Sequence, residues 1–552
     1  MHSLIILLIY YWLITFSLVG YGILFNQVFL KSSENDIGYL GFYGVFILIL
    51  FSYTSSFFIP HTELFNSIIL LIGLINILIN KEKNILKNNI KKLLIVFFIL
   101  IIFILLAKNH DDFPYYHFPY THLLTEYSNM IGLGNFNHGF RTHSSIFYLS
   151  SLFNLPYSNY FLLHLSPVFF MGFANIILYN KISLYLEGKK PSYILYLSLL
   201  SFVFINVFFV RLGEHGTDRS AMILIIIIII ELLYLTNKKK IVDKNSFLKL
   251  LIFITLIISL KTFYALYVLL FIPLIFYFNK NKVSLIFFFK NKITYLCLLM
   301  IMSLFTVNFF NSGCILYPVK LTCFDNFSWS IPISEVEQMN NWYQQWAKAG
   351  ANPNFRVENP EIYIKNFNWV SNWVDMYFFN KVSDFLLGLS FLCLLVWGTF
   401  FSKKINKSNN PKFWLLYLII IFLTVEWFYL LPTLRYGGYH LIALLLFIPL
   451  SVYLSKYSIN TKVLKKKIFF IIFLTIIIFL SRNISRINKE YNNYSYDILN
   501  NAFYWDDQQN FKIYDKIKKI NKCHIKKDLN FCSDYYIRVK FLNNAYIYYR
   551  KN

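Results

Sequence analysis

Charge is scarce in this chain. Only 14% of its 552 residues are charged, against about 25% in a soluble globular protein, and that shortage excludes an ordinary soluble fold. Acidic residues are the scarcer kind, 27 Asp and Glu against 52 Lys and Arg. The resulting net charge of +25 does not point to nucleic acid, because a bias toward Ile, Asn, Lys, Phe and Tyr runs through the whole chain. The first apolar run, Leu4 to Leu30, is long for a cleaved signal core and is expected to be a retained span rather than a secretory signal before a soluble domain. Internal repeats and low-complexity linkers are also lacking. The histidines show no zinc-ligand spacing.

What is present is hydrocarbon. The chain is 57% hydrophobic and 20% aromatic, with mean hydropathy +0.52. Apolar runs near or above about 18 residues recur from end to end, the mark of a polytopic α-helical membrane protein. Spans are expected at roughly 4–30, 38–59, 64–80, 93–107, 159–179, 192–210, 221–236, 294–310, 383–401, 413–432, 440–455 and 468–481. A further apolar block covers 249–278. The expectation is an all-α bundle of about 12–14 transmembrane helices over 1–481, with a small α/β cap formed by the tail 482–552.

Lysine placement orients the bundle. The connection Lys81 to Lys92, KEKNILKNNIKK, is strongly basic and belongs in the cytoplasm. Counting forward, Lys181 to Lys190, Asn237 to Lys249, Lys403 to Lys412 and Lys456 to Lys467 then fall on the same side, and all are basic. The scheme requires 249–278 to form a hairpin with its tip near Lys261. The outer side then receives loops at about 108–158, 211–220, 311–382 and 433–439, and the tail. Arg482, Arg486 and Lys489 at the start of the tail argue for the inside, but long tails obey the charge rule weakly. Two closely spaced cysteine pairs, Cys314/Cys323 and Cys523/Cys532, fall in outer segments and fit disulfides in an oxidising compartment.

The outer loop Asn109 to Ser145, NHDDFPYYHFPYTHLLTEYSNMIGLGNFNHGFRTHSS, concentrates the candidate chemistry. Asp111 and Asp112 sit at the mouth of a span, where a carboxylate deprotonates a hydroxyl or holds a divalent cation such as Mg or Mn. The FPYYHFPYTHLLTE segment that follows reads as a short amphipathic helix on the membrane surface. His117, His122, His138 and His143 suit proton transfer, and Arg141 suits two-pronged binding of phosphate. The turn RLGEHGTDRS adds Arg211, Glu214, His215, Asp218 and Arg219. Lys261, at the hairpin tip, reaches headgroup depth. Arg435, in PTLRYGGYH at the start of a span, stands at the same depth, with His440 one turn further on. The aromatic residues of NWYQQWAKAGANPNFRVENPEIYIKNFNWVSNW serve equally as sugar-stacking faces or as an interfacial belt.

An acidic pair in an early outer loop, a basic residue in a short hairpin and a late PTLRY segment opening a span together resemble the GT-C superfamily of polytopic glycosyltransferases, in a bacterial branch. The resemblance covers about Asp111 to Pro449 and is one of layout. It implies transfer of a sugar from a polyprenyl-phosphate donor to a cell-envelope glycan, lipid or protein on the outer face of the plasma membrane. Asp111 or Asp112 would be the base or metal ligand, and Lys261 and Arg435, with Arg141, would hold the carrier phosphate. His117, His215 and His440 are candidate acid/base or acceptor-site groups. One departure from the family layout is that four spans precede the acidic loop, where one is usual. Two further readings use the same donor: a flippase or transporter of lipid-linked glycans, disfavoured by charges at span ends and the lack of matched halves, and an O-antigen-type polymerase or ligase, which would use Arg435 and His440.

Overall fold

A computed structural model of the protein describes all residues except 1, 33, 35, 80–82, 109, 159, 188–191, 215, 238–243, 281–283, 285, 353, 404–412, 504–510, 527–535 and 552. It is mostly helical, 77%. The first half holds α1 (His2–Phe25), α2 (Ile37–Ser55), α3 (Glu63–Ile79), α4 (Lys83–Ile104), α5 (Phe118–Glu126), α6 (Ser145–Ser151), α7 (Ser166–Glu187), α8 (Tyr193–Phe208), α9 (Thr217–Asn237) and α10 (Lys244–Leu260). The second half holds α11 (Ile272–Lys280), α12 (Ile286–Phe289), α13 (Lys292–Ser312), α14 (Ile333–Lys348), α15 (Pro360–Ile364), α16 (Val370–Trp373), α17 (Ser383–Phe400), α18 (Trp414–Leu430), α19 (Gly438–Leu454), α20 (Thr461–Tyr494) and α21 (Lys512–Lys526).

Local sequence sets the helix starts. Asp36, Ser192, Asn291 and Asn460 each accept a backbone N–H at the head of α2, α8, α13 and α20, satisfying donors that the first turn leaves free. The core is carried by α9, whose residues Ile223 to Ile230 are buried on every face, as expected of a helix that is apolar all round. The helices α1 and α2 touch backbone to backbone at glycines. A Cβ on Gly22 would stand 1.7 Å from the Leu40 carbonyl oxygen, and one on Gly44 would stand 1.8 Å from that of Leu18.

Seven helical stretches are long and apolar enough to cross a membrane: His2–Leu30, Ile37–Ser55, Ser166–Leu186, Thr217–Thr236, Thr262–Asn279, Lys292–Ser312 and Val370–Phe400. Shorter apolar helices are Glu63–Ile79, Tyr193–Phe208, Trp414–Leu430 and Gly438–Leu454. Large apolar side chains point away from the bundle; Phe98, Leu387, Phe391, Trp414 and Phe469 are each at least 67% exposed. Such a surface is compatible with a lipid environment. Each expected span overlaps a helix, but among the described residues only seven stretches, not about 12–14, are long and apolar enough to cross. The expected span 159–179 starts ahead of α7, over the 3-10 turn Phe161–His164. The block 249–278 doubles back. After α10 the chain breaks at Lys261, whose backbone is extended, and returns as a 3-10 helix, Thr262–Phe271, and α11. Phe247 near the start of α10 meets Phe278 near the end of α11, ring centroids 5.3 Å apart.

The bundle therefore has two distinct ends. At one, Lys92 Nζ donates to Asn180 Oδ1 (2.7 Å), Lys249 pairs with Glu34 (2.8 Å) and Lys181 pairs with Glu231 (2.6 Å). At the other, the loop after α4, the start of α9, the Lys261 hinge and the α18–α19 turn come together.

The tail lies at this second end and is built into it. Strand β1 (Met130–Ile131) of the acidic loop pairs in parallel with β3 (Ala545–Arg550), which pairs antiparallel with β2 (Ile537–Leu542), in the order β1-β3-β2. The expected boundary at 481 falls inside α20. Arg486, one of the tail cations that argued for the inside, is paired with the buried Glu214 at this same end. A second expectation changes: α5 is not a surface helix. Phe118 to Thr125 are all buried, because α6, the turn Phe113–His117 and α21 pack against them. Tyr514 donates to Glu126 Oε1 (2.5 Å), and Phe511 packs on Phe118.

Candidate active site

Four charged side chains from four separate segments meet at the second end. Asp112 closes the loop after α4. Asp218 stands in the first turn of α9, where a carboxylate is favoured by the helix dipole. Lys261 occupies the hinge after α10. Arg435 lies in the 3-10 turn Leu434–Tyr436 between α18 and α19. Arg435 Nη2 donates to Asp112 Oδ2 (2.5 Å), and its Nε donates to Asp218 Oδ2 (3.1 Å). Lys261 Nζ lies 3.3 Å from Asp218 Oδ1. Two carboxylates thus balance two cations.

The turn carrying Arg435 is held from three sides. The Leu434 N–H donates to Tyr377 Oη (3.0 Å), Trp373 Nε1 to the Pro432 carbonyl (2.8 Å), and Trp427 Nε1 to the Thr433 carbonyl (2.8 Å). Gly437 follows at φ +149°, a backbone shape that a side chain would strain. The Tyr436 ring lies under the guanidinium, 5.6 Å from its carbon, and Trp346 of α14 packs on Tyr436 at 5.7 Å. The aromatic segment around α14 therefore walls the charged cluster.

His110 completes the acidic side. The Asp112 N–H faces His110 Nδ1 (3.1 Å), and the same nitrogen lies 3.4 Å from Asp112 Oδ2. Burial pushes this imidazole below its ordinary value, against the pull of Asp112. The His110 N–H donates to the Glu214 carbonyl (2.9 Å), tying the acidic loop to the turn before α9. Burial would raise the Asp112 carboxyl, but Arg435 and then His110 outweigh it and hold it below the usual carboxylate range. Arg435 is itself shifted upward: burial works against its charge, and Asp218 with its anionic neighbours overcomes that.

The other expected site residues divide. Asp111 is exposed and stands outside the cluster. Arg141 is not brought to it either. Its Nε donates to the Gly134 carbonyl (2.8 Å), Nη1 to Tyr317 Oη (3.0 Å) and Nη2 to Glu335 Oε1 (2.6 Å). Glu335 also receives Arg550 of β3, so Arg141 belongs to a clamp that fastens the tail. His117 is buried between Tyr116 and Phe147. His440 is buried with Nε2 2.7 Å from Tyr267 Oη, turned into the core. His215 and Cys532 lie outside the described residues. Cys314 and Cys323 form a disulfide, and Cys523 is disulfide-bonded.

A divalent cation does not fit this cluster. Among the described residues no three His, Cys, Asp or Glu side chains converge as ligands, and Arg435 and Lys261 already neutralise the two carboxylates. Asp218 lies in the charged turn that the sequence offered either as a solvated turn or as part of a polar site shared with the acidic loop, and the structure brings it to that loop through Arg435. His110 was assigned no role, nor was Glu335 in the separate tail clamp. Asp218 also carried a local signal, as an acid opening an apolar helix; His110 and Glu335 carried none.

These residues lie within a recognised family region. The chain belongs to the family described as "Domain of unknown function (DUF8201)", which matches residues 4–442 and so contains Asp112, Asp218, Lys261 and Arg435. Comparison with curated proteins and with solved structures returned no match.

Proposed function

We propose that the chain is an integral membrane glycosyltransferase of GT-C type, transferring a sugar from a polyprenyl-phosphate donor to a cell-envelope glycan, lipid or protein on the extracytoplasmic face of a bacterial plasma membrane. The observation that carries this reading is Arg435 suspended between Asp112 and Asp218 with Lys261 alongside. In this reading the donor phosphate binds Arg435 and Lys261. As the bond from the anomeric carbon to the phosphate oxygen breaks, its electron pair moves onto that oxygen, where fixed cations stabilise the growing charge. The acceptor hydroxyl attacks the anomeric carbon and gives its proton to Asp112.

The pairing supplies a sequence to these events. While Asp112 is bound to Arg435, its basicity is depressed. Phosphate competing for Arg435 loosens that pair and lets the Asp112 carboxylate recover proton affinity when the donor is in place. Asp218, more deeply buried, keeps Arg435 and Lys261 anchored throughout. His440, turned toward Tyr267, adds no support to the polymerase or ligase alternative.

The test is transfer in membranes supplied with lipid-linked sugar. Asp112→Asn is expected to lose at least about 100-fold in rate, the low end of general-base contributions, while Asp111→Asn stays near wild type. Full activity in Asp112→Asn at normal expression would remove the mechanism.

A further inference from the structure

The basic end of the bundle carries a second feature, unconnected with the charged cluster. A groove of about 460 Å³ opens between α4, α7, α8 and α20. Its walls are apolar, with Ile95, Ile99, Ile472 and Phe479 among them, and Lys91 and Lys92 stand at one extremity. Its two buried carboxamides, Asn175 and Asn206, bond to each other (3.1 and 2.7 Å), so the floor offers no free polar group and suits hydrocarbon. Phe469 on the rim is 71% exposed, which leaves the groove open sideways, toward the surroundings of the bundle.

Length and charge identify the occupant. From Lys91 to Leu100 the groove follows α4 for nine residues, about 13 Å at the helical rise. That is long enough to hold much of one acyl chain of a bilayer whose hydrocarbon core is roughly 30 Å thick. An apolar slot of that length with a cation pair at one extremity is complementary to an acyl chain that carries an anionic headgroup. Lys92 is steadied by Asn180 Oδ1, and Lys91 is exposed. Basic pockets between transmembrane helices recognise anionic headgroups.

We infer that this groove binds an anionic phospholipid of the leaflet on the basic side, with its phosphate at Lys91 and Lys92 and one acyl chain along α4 and α20. This site rests on the membrane part of the proposed function and is independent of glycosyl transfer.

The experiment uses the full chain in nanodiscs of phosphatidylcholine doped with phosphatidylglycerol, released into native mass spectrometry. Incorporation into the discs checks the membrane reading by itself. In incorporated protein, phosphatidylglycerol is expected to be retained in preference to phosphatidylcholine. Lys91→Gln with Lys92→Gln should weaken retention about thirtyfold, from the loss of two interfacial cations. Ile476→Trp, which fills the groove and leaves both lysines intact, should also displace the lipid. Equal retention of the two lipids by incorporated wild type, or undiminished retention in the folded variants, overturns the site.

Discussion

Arg435 Nη2 lies 2.5 Å from Asp112 Oδ2 across 323 residues of chain. The contact joins the loop after α4 to the α18–α19 turn, and the same guanidinium holds the head of α9 through Asp218. Replacing it leaves Asp112 without its guanidinium and Asp218 with Lys261 alone. Arg435→Gln is expected to lower stability by on the order of 3 kcal/mol, as removal of one partner from a buried ion pair does. Asp218→Asn, which leaves Arg435 with Asp112, should do less harm. Thermal unfolding of the purified variants in one detergent measures both, and equal, negligible shifts would contradict the linkage.

The second end also holds histidines that resist protonation. Burial pushes His61 and His143 down to about 3, far below the roughly 6.5 of an unfolded chain. Between those values the unfolded chain takes up protons that the folded chain refuses. Their stabilising effect is therefore complete above pH 6.5 and falls as pH drops, each with a slope approaching about 1.4 kcal/mol per pH unit. The melting temperature is expected to fall steadily from pH 7 to pH 5, and His143→Phe should flatten the decline. Asp112 has the opposite kind of shift. A depressed carboxylate contributes above its unfolded value near 3.9 and loses that contribution only below it, so it is not the source of a decline at pH 5. A flat profile would contradict the burial of these rings.

Glu335 is the shared anion of the tail clamp. Its two oxygens receive Arg141 and Arg550, and burial, which would raise its carboxyl, is overcome by those two cations. Glu335→Gln leaves both guanidinium groups undercompensated, a loss of about 1–3 kcal/mol concentrated at β3. Limited proteolysis should then cut the tail beyond α20 faster than in wild type, while the helical bundle stays resistant. Unchanged cleavage would mean that the sheet with β1 holds the tail without the clamp.

Cys314 and Cys323 close a short loop, nine residues apart in sequence. Loop closure of that length is worth about 2–3 kcal/mol. Peptide mapping without reductant is expected to recover the linked pair from native membranes, and reductant should lower the melting temperature. Recovery of both thiols free would place the segment in a reducing compartment and reverse the proposed orientation.

How much of this is readable from the residues depends on the range of the interaction. The Lys261 hairpin is legible because a lysine amid about thirty apolar residues needs a route to a polar environment. Arg435 is legible as a cation opening a span. Its partners are not: Asp218 stands 217 residues away, and no local pattern encodes the pairing. Arg141 looks free for phosphate because Glu335 is 194 residues distant. The helix α5 looks interfacial because part of its cover, α21, comes from the far end of the chain.

The central claim is that Arg435 and Lys261 form a receptor for a lipid phosphate. Equilibrium binding of a polyprenyl monophosphate to the purified chain in nanodiscs tests this without knowledge of the sugar. Wild type is expected to bind it, and Arg435→Gln and Lys261→Gln should each weaken binding about tenfold or more, the loss of one charge-assisted contact. Equal affinity in all three folded proteins, or no binding by wild type, would contradict it.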